Sequence, residues 1–136
     1  VERAVQVAIR ARLVATPAVV ALVPAGSILD VNQRPAPSPS IILGESQLVD
    51  EGTSISRRIA RIYHTVHIWK REPSLEGVKV IGGTIRSAIH AGRLDLGAGL
   101  HCIDALVSSM RQIRDPDGET SHGIVTIEVL AQEVAP

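Results

Sequence analysis

The sequence predicts an α+β domain, a mainly antiparallel sheet with two helices packed on it, and a single domain over residues 1–136. Three observations predict this. Residues 58–71, 100–114 and 123–132 carry the two-residue apolar period of half-buried strands. Asp115-Pro-Asp-Gly118 joins the last two runs with strong turn chemistry, which implies an antiparallel hairpin. Residues 1–15 and 74–91 instead repeat their apolar side chains at helical spacing.

The elements follow in order. The first helix reaches about Ala15, with Val5, Ala8, Ile9 and Leu13 on one stripe and Glu2, Arg3, Gln6, Arg10 and Arg12 mostly off it. Thr16 is placed to cap a second short turn, with Pro17 at its first position. Pro24-Ala-Gly26 ends that unit, and Ser27 to Val31 reads as a short strand. Residues 32–40 hold three prolines within five positions and form an extended connector. Ser40 to Glu45 reads as a short buried strand. Ser46 to Ser56 is polar and reads as a mobile loop, with Glu45, Asp50 and Glu51 near its start and Arg57-Arg58 at its end.

In the next strand Ile62, Val66 and Ile68 share one face, with His64 between them, and Tyr63, Thr65, His67 and Trp69 share the other. Both faces are partly apolar, so each is expected to meet something. Trp69 has two readings, a core anchor and an interface hot spot, of which the core is preferred. Glu72-Pro-Ser74 breaks the strand and Ser74 is placed to cap the helix that follows. Gly82-Gly83 within that helix costs about 1 kcal/mol per glycine relative to alanine, which implies close packing on the sheet. Gly92 is the stop signal. The expected core contains Ile62, Val66, Ile68, Val78, Ile81, Ile85, Val107, Val125, Ile127 and Val129.

Composition narrows the function. Fourteen basic and fourteen acidic residues give a formal net charge of zero, without the basic surplus of a nucleic-acid binder. One Trp, one Tyr and no Phe leave an aliphatic core and almost no stacking platforms. The single cysteine, Cys102, allows no internal disulfide and fits a reducing compartment; in an apolar run it reads as a small buried hydrophobe. No segment approaches the roughly 18 apolar residues of a membrane span. Arg3, Arg10 and Arg12 interrupt any signal-peptide pattern, and the start at Val1 reads as a removed or trimmed Met.

No catalytic or metal-binding constellation emerges. His64 and His67 face apart on a strand, as do His101 and Cys102, and no Cys-x-x-Cys or His-Glu-x-x-His spacing exists. No Gly-x-Ser-x-Gly elbow surrounds Ser108-Ser109. Gly82-Gly83-Thr84 and Gly97-Ala-Gly99 lack the Lys-Ser/Thr of a phosphate loop. The expectation is a protein that is not an enzyme, with no cofactor and no metal. The candidate contact residues are charged: Glu45, Asp50, Glu51, Arg57 and Arg58 around the loop, and Arg111, Arg114, Asp115 and Asp117 at the hairpin. The hairpin charges read equally well as a contact with a neighbouring subunit and as a solvated turn.

A helix of about 20 residues, the run Pro39-Ser-Ile-Ile-Leu43, a long strand ending His67-Ile-Trp69, a helix in Gly77 to Ala91 and a closing hairpin together resemble the small tail-completion, or tail-terminator, proteins of long-tailed phages and gene transfer agents. The resemblance covers nearly the whole chain; low aromatic content and a longer loop from Glu45 to Ser56 depart from it. It implies a structural virion protein at the tail–neck, assembled in the host cytoplasm. It implies a ring, usually of six copies, that caps the tail tube, ends its growth and docks the head connector, or stopper, protein, with DNA passing through the middle without sequence recognition. If Glu45, Asp50 and Glu51 face that channel, their charge repels phosphate and lets DNA slide. Two other classes remain open: another head–tail connector component, such as a stopper or head-completion protein, and a small cytosolic enzyme or ligand-binding domain.

Overall fold

The computed structural model describes residues 1–30, 37–52 and 56–134. In chain order it contains α1 (Glu2–Ala15), α2 (Pro17–Val20), a 3-10 turn (Ala25–Ser27), β1 (Ile28–Leu29), β2 (Ser40–Asp50), β3 (Ile59–Arg71), α3 (Glu76–Ile89), β4 (Leu100–Arg114) and β5 (Thr120–Glu133). Most of the expected proline connector, and residues 53–55 of the expected loop, lie outside the described residues.

The strands form one sheet in the order β1-β2-β3-β5-β4. β1 is parallel to β2, and the other pairs are antiparallel. β3 and β4 therefore run in the same direction with β5 between them, and α3 makes the crossover, a split βαβ unit. Gly123 leaves room for Ile68 of β3: a Cβ there would lie 3.2 Å from Ile68 Cβ, and in ordinary contact, 3.5 Å, with Val78 Cβ of α3.

The helices cover one face of the sheet. Val5, Ile9 and Leu13 of α1 and Val78, Ile81, Ile85 and Ile89 of α3 are buried against Ile62, Val66, Ile68, Val125, Ile127 and Val129. Each such aliphatic side chain contributes about 1.5–3 kcal/mol by leaving water. Of the expected core residues only Val107 is half-buried rather than buried, because it lies on β4 at the sheet edge. Its amide donates to His90 Nε2 at 2.9 Å, so the end of α3 covers part of an edge that would otherwise present unpaired backbone. Cys102 is buried and free.

Three sequence readings change. β2 does not stop at Glu45 but runs to Asp50, with a register shift between Leu43 and Ser46. Leu48 pairs with Ile62 on the helix side while Gln47 pairs with Tyr63 on the other. Sheet pairing satisfies the backbone there, so local polarity does not make a loop. Trp69 is not in the core between helices and sheet; its odd position on β3 puts it, half-buried, on the opposite face. Thr16 precedes α2 but makes no side-chain cap; its hydroxyl donates to Arg12 O at 2.6 Å. Ser74 does accept from the first amide of α3, Glu76 N–H, at 3.1 Å.

Candidate functional site

The face turned away from the helices has no covering layer among the described residues. β3 contributes Arg61, Tyr63, Thr65, His67 and Trp69 to it, and β5 contributes His122, Ile124, Thr126, Glu128 and Leu130, all half-buried. The alternation that fills the core with even-numbered β3 residues obliges the odd ones to line this open face.

Two polar clusters organise the face. In one, Trp69 and His122 are cross-strand partners whose rings stack at 3.8 Å and 9°. His122 Nε2 lies 2.8 Å from His67 Nδ1, and the other nitrogen of His67 lies 3.3 Å from Glu45 Oε2. Gly44 makes room for the ring, since a Cβ there would lie 2.8 Å from His67 Cδ2. Burial, and next the nearby His67, hold the His122 imidazole below the ordinary histidine range; Asp115 and Glu45 pull it back and Arg111 adds to the depression. Glu45 is held below the usual carboxylate range by a backbone hydrogen bond and by His67, against the opposing effect of burial. In the other cluster, Arg61 pairs with Glu51 at 2.7 Å and with Glu128. Those hydrogen bonds raise the guanidinium above its ordinary value.

The expected contact residues do not form one site. Glu45, Asp50 and Glu51 belong to β2 and its end rather than to a free loop, and Glu45 and Glu51 already have partners. Arg57 and Arg58 are exposed near the Asp50 end, with Arg57 in the left-handed region at φ 56°. Arg111, Arg114, Asp115 and Asp117 lie at the opposite end of the sheet, because Arg114 pairs with Ser121 while Asp50, Ala60, Ala131 and Cys102 align at the other.

At the hairpin the acids build the turn. Asp117 Oδ1 accepts from the amides of Glu119 and Thr120 at 2.8 and 2.9 Å, and these bonds hold its carboxyl below the usual range. Asp115 Oδ2 accepts from Asp117 N–H at 3.3 Å. Arg111 and Arg114 are exposed and, among the described residues, carry no ion pair. Beside them Met110 and Ile113 are 36% and 41% exposed, Ile113 with Arg111 on the open face and Met110 with Arg114 on the helix side.

Sequence reasoning did not bring His67, His122, Trp69, Arg61 and Glu128 together. His67 and His122 are 55 residues apart, and only the β3–β5 register joins them. Elsewhere, an open groove of about 430 Å3 lies beside the outer side of α3, lined by Thr16, Lys79, Val80, Gly83, Ser87 and Ala91 among others. It gathers no acid–base pair. Among the described residues no group of three metal-ligating side chains comes together, and no helix is long and apolar enough to cross a membrane.

The family model described as tail completion protein gp17 matches residues 7–132. No curated protein matches the chain. Among solved structures, a chain of one described as the virion of a native gene transfer agent (GTA) particle is similar over 97% of both chains, with a TM-score of 0.79 and 18% identity. At that identity the likeness is one of fold.

Proposed function

The chain belongs to the tail completion protein gp17 family, and from that premise we propose that it forms a ring, of six copies, that caps the tail tube, stops its polymerisation and joins the tail to the head connector. It is a structural protein of the tail. The observation that carries the reading is the family match across residues 7–132. The physical form of the molecule supports it. A cyclic ring uses heterologous contacts, so each copy needs two different complementary surfaces. The open sheet face is one available surface, and the helical layer, with Val7, Leu22 and Val80 exposed, is another.

The charged contact residues lie at opposite ends of the sheet, which suits a ring with two docking faces. In this reading Asp50, Arg57 and Arg58 serve one face, and Arg111 and Arg114 with Met110 and Ile113 serve the other. One meets the tube protein and the other the head connector. DNA passes through the ring without being read, consistent with a net charge of zero. The acids proposed to line the channel reduce to Asp50, because Glu45 and Glu51 are engaged by His67 and Arg61.

The test is assembly. Native mass spectrometry and negative-stain microscopy of the purified protein should show closed rings, and adding the protein to polymerising tube protein should shorten the tubes. A monomer that leaves tube length unchanged refutes the capping role. Binding to the portal-side adaptor without an effect on tubes indicates a stopper instead.

A further inference from the structure

We propose that the His67–His122 pair is a one-proton device on the open sheet face: it holds a single proton with its contact intact, and a second proton separates the two rings. This does not depend on the proposed ring. It rests on the 2.8 Å approach of His67 Nδ1 to His122 Nε2, which admits only one hydrogen between the two nitrogens. With both rings neutral, one N–H donates to the lone pair of the other. A proton added to the pair finds partners on both sides when it sits on His67, whose far nitrogen faces Glu45 Oε2 at 3.3 Å. His67 then donates from both nitrogens, to Glu45 and to His122 Nε2, and His122 carries its hydrogen on Nδ1. The second proton has to go to His122 Nε2. Two N–H groups would then point at each other across 2.8 Å, and the contact ends.

The surroundings decide where each ring goes. The His122 imidazolium remains stacked on the indole of Trp69, an arrangement that a cation over an aromatic face favours. His67 is drawn to Glu45 on β2. Asp115 in the turn attracts the charge on His122 and Arg111 on β4 repels it. The helices lie on the far face and contribute no charge to the cluster. The result is a histidine pair whose charge rises from zero in two separated steps, as coupled sites do.

Trp69 is the only tryptophan, so its emission reports on His122 directly. Imidazolium quenches a stacked indole more strongly than neutral imidazole does. As pH falls from 8 to 5, with the far-ultraviolet circular dichroism monitored for unfolding, the emission of the intact protein should drop in one step. H122Q should remove the step. H67N, which keeps an amide at the Nδ1 position, should move it upward by about half a pH unit or more, because a like charge is gone. A step that survives in H122Q, or that does not move in H67N, overturns the proposal. Should a variant fail to fold, ring-proton NMR of the unaltered protein decides. Separate midpoints for His67 and His122 support the device, and one shared midpoint overturns it.

Discussion

Arg12 donates to the carbonyl oxygen of Ala88 at 2.8 Å, tying the first helix to the last turn of α3. The same guanidinium reaches Gly92 O at 3.2 Å and Arg93 O at 2.7 Å. Ala88 O sits in the last turn of α3, at the negative end of its dipole, and Gly92 O and Arg93 O belong to the segment that follows, so one planar cation ties both the helix end and its exit to α1. R12A should lower stability by about 2 kcal/mol in urea unfolding. R12K should recover less than half of that, since an ammonium lacks the fork. Full recovery with lysine would mean that charge alone matters.

Burial holds the His64 imidazole below its ordinary range, and neither ring nitrogen has a hydrogen-bond partner among the described residues. The unfolded chain, titrating near pH 6.5, therefore takes up this proton first as pH falls. The contribution to stability is complete above about pH 6.5, declines below it, and levels once pH passes below the folded value. His122 is shifted in the same direction and adds to the decline. H64L should flatten the curve on the acid side and raise stability at pH 7.5 by about 1 kcal/mol or more, because two unsatisfied buried groups disappear. An unchanged pH dependence would separate His64 from the acid loss.

Two glycine substitutions should act in opposite directions. In G123A the new methyl group crowds the β-carbon of Ile68, which cannot rotate away, so a loss of about 1–3 kcal/mol is expected. In G83A nothing lies within 4 Å and the helix gains about 1 kcal/mol of propensity. Thermal melts of the two proteins test the packing of β5 beside Ile68 and the open space at Gly83 of α3.

The docking assignment predicts a separation of fold from function. R111E with R114E should change stability by no more than about 0.5 kcal/mol, while the protein loses its partner at that end of the ring. Tube-length measurement and connector pull-down, run side by side, identify which partner is lost. Normal activity in both assays would remove the hairpin from the interface.

Much of the architecture was legible because local and long-range signals agree. β4 has the limits read from the sequence, Leu100 to Arg114, since its run is uninterrupted and the Asp-Pro-Asp-Gly turn fixes its end. The second half of β2 was not legible: Glu45, Ser46 and Gln47 are polar, and only Leu48 against Ile62 reveals a strand. Trp69 misleads if hydrophobicity outweighs parity, for counting by twos from Ile62 assigns it to the open side. The histidine pair had no local signal at all. It depends on which residue of β5 faces which residue of β3, and nothing within either segment specifies that register.

The order of strands across the sheet differs from their order along the chain. β5, which pairs with both β3 and β4, follows all the others in sequence. A chain paused just before Thr120 therefore holds two unjoined fragments of a sheet and an α3 that lacks the Val125 and Ile127 part of its floor. The molecule cannot rehearse its final surfaces on the ribosome. The face that sets His122 opposite His67, and the hairpin that carries Arg111 and Arg114, are offered only by a copy whose last strand is in place.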